Sequence, residues 1–350
     1  MGRKELILYQ PRFMEKHCVA LVAIRLARSI VPAILVLTYH STAYGQSDTR
    51  NVRQDLIGKS FQTLSGPCLV LSGLKNAIVE NVAIGPCAEE GLVLIDSDNV
   101  LVRNLTVQNT GGAGIYVRGS KSITISSSNV TDGVTGISVL DSQGVNVECN
   151  SIRDVRGPIP AGQFIQFDKV TGSENSIACN SGLNTSGYGR PEDGISLYKS
   201  HGTPQSPIVV TGNLLVGGGP SESGGGIMVG DDGGSDILIT GNRLLDPGQY
   251  GIGVASGNGI SIVDNVVIGK QQPFTNVGIY VWNQYSHLCR DIRVSGNVVR
   301  WRSKTGSPNP WWDGGNCGVI AGIETNSFAD FEPVSEPVLP GLCSCEATRE

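Results

Sequence analysis

Ionisable side chains gather in the middle of the chain, within the segments RPEDGISLYKSHG and GIMVGDDGG. Glu192 and Asp193 precede one apolar stretch, and Lys199 follows it. Asp231 and Asp232 follow the next such stretch. A lysine beside two carboxylates is suited either to an ion pair or to proton transfer. A solvated charge network in Gly-rich turns is the simpler interpretation, but 47 glycines could form such turns without this many ionisable groups.

Two enzyme chemistries fit this cluster. A lyase that acts on a uronate needs a base and a cation that holds the uronate carboxylate, whereas a hydrolase needs two or three carboxylates around the scissile bond. The side chains that could serve the lyase as base or acid are Lys199, His201 and Tyr198. The carboxylates that could hold Ca²⁺ through oxygen ligands are Glu192, Asp193, Asp231 and Asp232. In a hydrolase, Asp193 would be an acid.

A short phrase recurs along the chain and indicates what holds these residues in place. It consists of an apolar residue, any residue, a second apolar residue, any two residues and then a fixed slot. Successive slots lie 22 to 33 residues apart, and the last six hold asparagine. The slots are Val82, Leu105, Ser128, Asn150, Asn180, Asn213, Asn242, Asn265 and Asn297. A second phrase of the Gly-Ile type, such as GIYV or GISL, follows most of the slots.

Apolar residues recur at i and i+2 in both phrases, which indicates short strands and not helices. Each coil would stack about 4.8 Å from the last, so the slot asparagines should form a structural ladder of amides. These residues resemble the parallel β-helix repeats of the pectate-lyase-like superfamily over roughly residues 57–325. The expected fold is all-β, a single-stranded right-handed parallel β-helix (solenoid) of about nine to eleven coils. It would occupy residues 46–325, with residues 326–350 as a C-terminal polar tail or cap.

In the Gly-Ile strands the isoleucine should face inward and its neighbours outward, because successive side chains of a strand alternate. The outward candidates for substrate binding are Tyr116, Arg118, Gln166, Ser196, Tyr280 and Trp282. Aromatic and polar side chains on one sheet suit a sugar platform, although ordinary surface sheets also show polar residues. The extra residues of the long coils fall between the slot and the Gly-Ile strand, where they should wall a groove. In the superfamily that the chain resembles, polysaccharide binds there.

The resemblance implies an exported protein that binds and cleaves a polysaccharide, and we rank a lyase acting on a uronate-containing glycan first. A hydrolase of the polygalacturonase type ranks second. The segment PEDGISL is similar to the start of the polygalacturonase strand, where Asp193 would be an acid. However, the pair Asp231 and Asp232 follows its strand where the family's second pair precedes one, and no Gly-His-Gly or Arg-Ile-Lys follows. A non-catalytic glycan-binding or cell-surface scaffold is the third hypothesis.

Residues 1–45 differ from the rest and predict export. Six basic and two acidic side chains, an apolar run over 29–39 and the small-residue motif Ala43-Tyr44-Gly45 are typical of a cleaved signal, with an uncleaved anchor as the alternative. Without this segment the net charge changes from −5 to −9. That charge disfavours nucleic acid as a partner, and an acidic glycan would be repelled unless a cation intervened. We expect a secreted or periplasmic monomer.

Eight cysteines follow residue 45, an even number that predicts disulfides in an exported protein. Cys149 and Cys179 each precede a slot asparagine in adjacent coils. Their Cα atoms should then lie within the ~6.8 Å limit of a disulfide, and a bridge between them is favoured over two buried free thiols.

Overall fold

The computed structural model describes residues 50–221, 223–329, 343 and 345. The export signal predicted for residues 1–45 therefore lies outside the described residues. Within the described residues, no helix is long and apolar enough to cross a membrane. The only helical element in this part of the chain is a 3-10 turn at Ile323–Thr325.

The described chain is built from 28 short strands. In chain order they are β1 (Asn51–Val52), β2 (Ser60–Thr63), β3 (Leu69–Ser72), β4 (Lys75–Glu80), β5 (Ala83–Cys87), β6 (Leu92–Ile95), β7 (Asp98–Arg103), β8 (Thr106–Arg118), β9 (Lys121–Ser126), β10 (Asn129–Leu140), β11 (Gln143–Glu148), β12 (Ser151–Arg153), β13 (Ile165–Asp168), β14 (Ser176–Ala178), β15 (Ser181–Leu183), β16 (Ile195–His201), β17 (Ile208–Thr211), β18 (Leu214–Val216), β19 (Ile227–Thr240), β20 (Arg243–Leu245), β21 (Tyr250–Val254), β22 (Gly257–Val263), β23 (Val266–Gly269), β24 (Val277–Trp282), β25 (Cys289–Ser295), β26 (Val298–Trp301), β27 (Trp311–Gly315) and β28 (Ser327–Phe328).

These strands wind into a right-handed solenoid of about 11 turns with three parallel sheets, as the slot spacing predicts. The first sheet contains β1, β4, β7, β9, β11, β14, β17, the end of β19, β22 and β25. The second contains β2, β5, the starts of β8 and β10, β12, β15, β18, β20, β23, β26 and β28. The third contains β3, β6, the ends of β8 and β10, β13, β16, the start of β19, β21, β24 and β27.

Aliphatic side chains stack in register along the axis and form the core. In the third sheet, Ile195 pairs with Ile227, which pairs with Ile252, and each is fully buried. Most coils place the same type of side chain above the last, so aliphatic residues fill most of the interior, and Phe164, Phe167 and Trp301 are the large side chains fully buried in it.

The asparagine slots form the predicted ladder in the turn between the first and second sheets. The backbone N–H of Asn180 donates to Oδ1 of Asn213 at 2.9 Å, and Nδ2 of Asn180 donates to the carbonyl of Val147 at 2.9 Å. The ladder continues one coil beyond the predicted slots, because Asn297 donates to Oδ1 of Asn326. Each amide satisfies turn backbone that would otherwise be buried without a partner.

A serine ladder in the turn between the third and first sheets was not predicted. The backbone N–H of Ser97 donates to Oγ of Ser120, and that of Ser120 to Oγ of Ser142, both at 3.1 Å. Each hydroxyl also donates to the carbonyl two residues earlier, as Ser120 does to Arg118 at 2.9 Å. Serine is so common in turns that its register is hard to distinguish in a sequence.

Asn242 offers a direct test of the asparagine ladder. It is fully buried, and its amide both accepts from Asn213 and donates to Asn265. We expect Asn242→Leu to lower the free energy of unfolding by roughly 1–3 kcal/mol, because the neighbouring turn groups lose their partners. Urea unfolding measures this. The matched control is Asn129→Leu, an exposed outward position on β10, where we expect a change within about 0.5 kcal/mol. Equal losses in both variants would contradict a stabilising ladder.

All eight cysteines after residue 45 are paired, as their even number predicts. The bridges are Cys68–Cys87, Cys149–Cys345, Cys179–Cys343 and Cys289–Cys317.

The predicted bridge between Cys149 and Cys179 is wrong, because each of them bonds to a cysteine near the C-terminus. Cys343 and Cys345 are two residues apart, and the backbone N–H of Cys345 donates to the carbonyl of Cys343 at 3.0 Å, which keeps the two cysteines close together. The pair can therefore bond to Cys179 and Cys149, which lie in adjacent coils. The coil after Cys179 has Gly212 at the equivalent position, where a Cβ would lie only 2.4 Å from the Cys343 sulfur.

Candidate active site

A charged cluster surrounds Asp232, at the edge of the third sheet where the strands lead into the first sheet. Nζ of Lys199 lies 2.6 Å from Oδ2 of Asp232, and the Tyr198 hydroxyl donates to the same oxygen at 3.0 Å. Lys199 follows one Gly-Ile strand and Asp232 the next, and adjacent coils of the repeat thus bring the two side chains together. Burial alone would raise the pKa of Asp232, but its hydrogen bonds to Lys199, His287 and Tyr198 hold it below the usual value. The same bond to Asp232 raises the pKa of Lys199 well above its ordinary range.

Two members of the cluster, Tyr285 and His287, were not predicted. Nε2 of His287 lies 2.6 Å from Oδ1 of Asp232, and the Tyr285 hydroxyl donates to Oδ1 of Asp231. Both belong to residues 283–288, which link β24 to β25 and reach back past β21 to β19. The signal is in the sequence: only two residues separate β3 from β4 and β6 from β7 at this turn, but six separate β24 from β25.

His201, a predicted acid or base, is not part of this cluster. It lies two residues beyond Lys199, and its Nδ1 contacts Oγ of Ser235 at 3.4 Å. Between them Ser200 turns into the interior, where its hydroxyl accepts from the backbone N–H of Val170. Burial lowers the pKa of His201. The imidazole next to the carboxylates is therefore that of His287.

Asp193 lies two residues before β16 of the third sheet and is buried, with 5% of its surface exposed. Its Oδ1 accepts hydrogen bonds from the Tyr250 hydroxyl and from the backbone N–H of Gly225, the latter at 2.9 Å. Tyr250 comes from the second coil beyond and reaches back over Gly225, where a Cβ would lie 2.7 Å from its ring. Burial, reinforced by the charge of Glu192, raises the pKa of Asp193 to about 7 although Tyr250 opposes the shift.

Glu192 and Asp231 are the two further carboxyl groups whose charges raise the pKa of Asp193. Oε1 of Glu192 accepts from the Ser223 hydroxyl at 2.9 Å, whereas Oε2 is buried and has no hydrogen-bond partner among the described residues. Burial raises the pKa of Glu192, and the charge of Asp231 raises it further. Burial likewise raises the pKa of Asp231, against the hydrogen bond from Tyr285. We infer that these three carboxyl groups together keep a proton where isolated carboxyl groups would have lost theirs.

The described residues contain no group of three or more His, Cys, Asp and Glu side chains arranged to hold a metal ion. Of the predicted calcium ligands, Asp232 already contacts Lys199 and His287. Calcium binding by Glu192, Asp231 and Asp232 stays a prediction, and no step proposed below depends on it.

Aromatic side chains lie beside the carboxyl groups on the outer face of the third sheet. Trp282 and Trp312 have ring centroids 5.6 Å apart, and Trp312 is 39% exposed. Tyr280, predicted to bind sugar at the surface, is only 7% exposed. Its ring lies over Gly253, where a Cβ would come within 2.6 Å, and packs edge-on against Tyr250 at 5.2 Å. The exposed aromatic side chains near the site are therefore Trp312 and Tyr285, with Trp282 partly exposed beside Trp312.

The remaining predicted binding residues lie in the expected outward rows. Register pairs Tyr116 with Ser138, Ser138 with Gln166, and Gln166 with Ser196. Tyr116 and Gln166 are half-buried, Arg118 is exposed, and Ser196 is buried at 4% exposure. Their contact with a glycan stays a prediction.

The long connections from the second to the third sheet carry the extra residues, as predicted, and concavities lie along them. One, of about 270 Å³, is lined by Asn184, Asp246 and Lys270 among others. Another, of about 550 Å³, includes Arg156, Tyr188 and Arg190. Asp193, Glu192 and Asp231 line neither of these two concavities.

Residues 68–233 match a family model described as a right-handed β-helix region. No curated protein sequence matches the chain. Among solved structures, the catalytic domain of a GH87 α-1,3-glucanase in complex with nigerose is 14% identical, with a TM-score of 0.53 over 73% of this chain and 50% of that one. A DFA-IIIase from Arthrobacter chlorophenolicus A6 in complex with GF2 is 16% identical, with a TM-score of 0.47 over 75% and 60%. The chain thus spans about half of the first protein and 60% of the second, and the likeness concerns the fold alone.

Proposed function

We propose that this right-handed β-helix repeat protein hydrolyses a glycosidic bond on the outer face of its third sheet, with Asp193 as the proton donor. The observation that carries the proposal is buried Asp193, which accepts hydrogen bonds from Tyr250 and Gly225 and whose pKa is raised by burial and by the charges of Glu192 and Asp231. Glycoside hydrolysis requires one carboxyl group that keeps its proton and another that is ionised near it.

Asp193 suits the role of acid because its pKa of about 7 leaves it largely protonated up to neutral pH. Both hydrogen bonds that the described residues make to it end on Oδ1. The proton can then reside on Oδ2 and be given to the oxygen of the leaving sugar. Asp231 is the second carboxyl group: burial raises its pKa, and the hydrogen bond from the Tyr285 hydroxyl opposes that shift by stabilising the ionised form. Glu192 contributes negative charge that keeps Asp193 protonated.

A glycan is the substrate class that the surroundings favour. Trp282 and Trp312 offer indole faces on which sugar rings can stack, and they are connected to Asp193 through the rings of Tyr280 and Tyr250. An α-1,3-glucanase is among the solved structures with a similar fold, which supports the same class. The resulting hypothesis is a polysaccharide hydrolase that binds its chain across the open face of the third sheet.

The geometry favours hydrolysis over the lyase that the sequence ranks first. A lyase would need an unprotonated base beside the carboxylates, but the ion pair with Asp232 raises the pKa of Lys199 and so keeps it charged, and His201 lies outside this cluster. Burial also raises the pKa of Tyr198, which disfavours a phenolate base. Neither group is therefore a base at neutral pH.

Lys199 thus separates the two chemistries experimentally. The mature protein is tested on a panel of neutral and uronate-containing polysaccharides, with reducing ends and ultraviolet absorbance followed together. We expect new reducing ends without the absorbance of an unsaturated uronate. We also expect Lys199→Asn, which suits the left-handed backbone at this position (φ 49°), to retain turnover.

The control for this variant is Lys121→Asn, at an exposed position in the first sheet. Absorbing products that disappear in Lys199→Asn but persist in the control would establish a lyase. Binding to a glycan without any turnover would leave the non-catalytic scaffold.

A further inference from the structure

The connections from the second to the third sheet differ in length from coil to coil. Eleven residues (184–194) join β15 to β16, ten (217–226) join β18 to β19, and seven (270–276) join β23 to β24. Only four (246–249) join β20 to β21. Because these coils are neighbours in the second sheet, a short connection between longer ones leaves a gap in the wall. The concavity of about 270 Å³ lies in this gap.

The lining of this concavity, which we call the side pocket, is mostly polar and carries no net charge. Its polar side chains include Asn184, Ser186, Asp246, Lys270 and Gln272. The apolar side chains of the lining are those of Pro191 and Val216. Nζ of Lys270 lies 3.8 Å from Oδ2 of Asp246, so the one carboxylate and the one ammonium group balance each other. An uncharged ligand rich in hydroxyl groups therefore suits the side pocket better than an ion or a hydrocarbon.

Several polar groups of the side pocket are not used by the fold. Oδ1 of Asn184 accepts from the backbone N–H of Val155 at 2.9 Å, but its Nδ2 donates to no group of the described residues. The Ser186 hydroxyl and the side-chain amide of Gln272 also make no hydrogen bond within this part of the chain. Oδ1 of Asp246 accepts from the backbone N–H of Lys270 at 2.7 Å, which leaves Oδ2 available to a hydroxyl donor.

We propose that the side pocket binds one neutral sugar unit. Pockets for drug-sized ligands measure about 300–1,000 Å³, so a volume of about 270 Å³ suits a smaller ligand such as a single sugar ring. A sugar hydroxyl both donates and accepts, and it can thus donate to the carboxylate of Asp246 while accepting from the amide of Asn184 or Gln272.

Pro191 links the side pocket to the candidate active site. It lines the pocket and lies two residues before Asp193, which limits the distance between their Cα atoms to about 7 Å. A glycan that is cleaved beside Asp193 would place a unit near the scissile bond in the side pocket. This last step rests on the proposed function, whereas sugar binding by the pocket does not.

Titration of the protein with glucose, galactose, mannose and xylose, followed by saturation-transfer NMR, tests the side pocket. We expect at least one of these sugars to bind, and Asp246→Asn to raise its Kd about tenfold, because a hydroxyl then meets a neutral oxygen in place of a carboxylate. Asparagine suits the left-handed backbone at this position (φ 50°), and its oxygen can still accept from the N–H of Lys270. The matched control is Asp264→Asn, an exposed aspartate that is also left-handed (φ 55°), and it should leave the Kd unchanged.

A second variant, Ser186→Trp, adds bulk to the side pocket without altering a charge, and we expect it to abolish sugar binding. The proposal is overturned if no sugar of the panel binds, or if the Kd is the same in Asp246→Asn and in Ser186→Trp as in the unaltered protein. A protein that binds the sugar with this pattern of losses but cleaves no polysaccharide would retain the side pocket and contradict only the proposed hydrolysis.

Discussion

Asp193→Asn is expected to lower kcat for glycan hydrolysis by about 10²- to 10⁴-fold, the usual contribution of a general acid. Asparagine preserves the shape of the side chain, and its amide oxygen can still accept from Tyr250 and from the backbone of Gly225. Only the proton is lost. Reducing-end assays on the best polysaccharide of the panel measure the effect, with KM expected to change little because the sugar-stacking surface is intact.

The matched control is Asp291→Asn, an exposed aspartate on β25 in the first sheet. It should retain the turnover of the unaltered protein. A substrate with a good leaving group, which needs no proton from the enzyme, should restore part of the activity of Asp193→Asn. Full activity of Asp193→Asn on the polysaccharide would eliminate Asp193 as the acid.

The same Asp193→Asn protein is expected to be more stable than the unaltered one above neutral pH, by at most about 4 kcal/mol. The carboxyl pKa is about 7 in the folded chain against an ordinary value of 3.8. Between these values the unfolded chain has released its proton and the folded chain still binds it, so the free energy of unfolding falls as pH rises. Asparagine does not titrate and avoids this loss.

Urea unfolding of both proteins from pH 4 to pH 8 measures the difference. We expect it to be smallest at pH 4, where the carboxyl group is mostly neutral in either state, and to grow until about pH 7. When both proteins also carry Tyr250→Phe, the difference in the free energy of unfolding should continue to grow to higher pH. The change removes a hydrogen bond that favours ionised Asp193. If the free energies of unfolding of the two proteins change with pH in parallel, the pKa of Asp193 is not raised in the folded chain.

The solenoid was predictable because its signal is repeated in every coil. The slot asparagines and the Gly-Ile phrases fix the register, and the ladder from Asn150 to Asn297 follows from them. The approach of Lys199 to Asp232 could be predicted for the same reason, since it needs only the order of neighbouring coils.

Contacts that depend on side-chain direction could not be predicted in this way. Tyr250 reaches Asp193 across two coils, and Tyr280 is buried because it leans over Gly253. A strand pattern specifies the face of a residue but not its tilt along the axis. The contact of His287 with Asp232 depends on where a loop folds back.

The pairing of the cysteines could not be predicted from the repeat, for a different reason. Adjacent coils do bring Cys149 and Cys179 close together, but a remote Cys-Ser-Cys segment competes for both sulfurs. Spacing within the repeat could not reveal that competition, because Cys343 and Cys345 lie outside the repeat.

The asparagine ladder gives the two ends of the solenoid unequal tolerance to shortening. Each backbone N–H of the ladder donates to a side chain on the later coil, as from Asn265 to Asn297 and from Asn297 to Asn326, whereas the side-chain Nδ2 also donates back to a carbonyl on the earlier coil, as from Asn297 to Ile262. Trimming the last coil would strand a buried N–H group, which is costly, and each further trim would repeat that loss. Trimming from the first coil strands only side-chain groups, such as the Nδ2 of Asn180 that would lose the carbonyl of Val147, and these can turn toward water. An engineer who wants a shorter or chimeric version should therefore cut from the N-terminal side and keep Asn326 as the terminal acceptor.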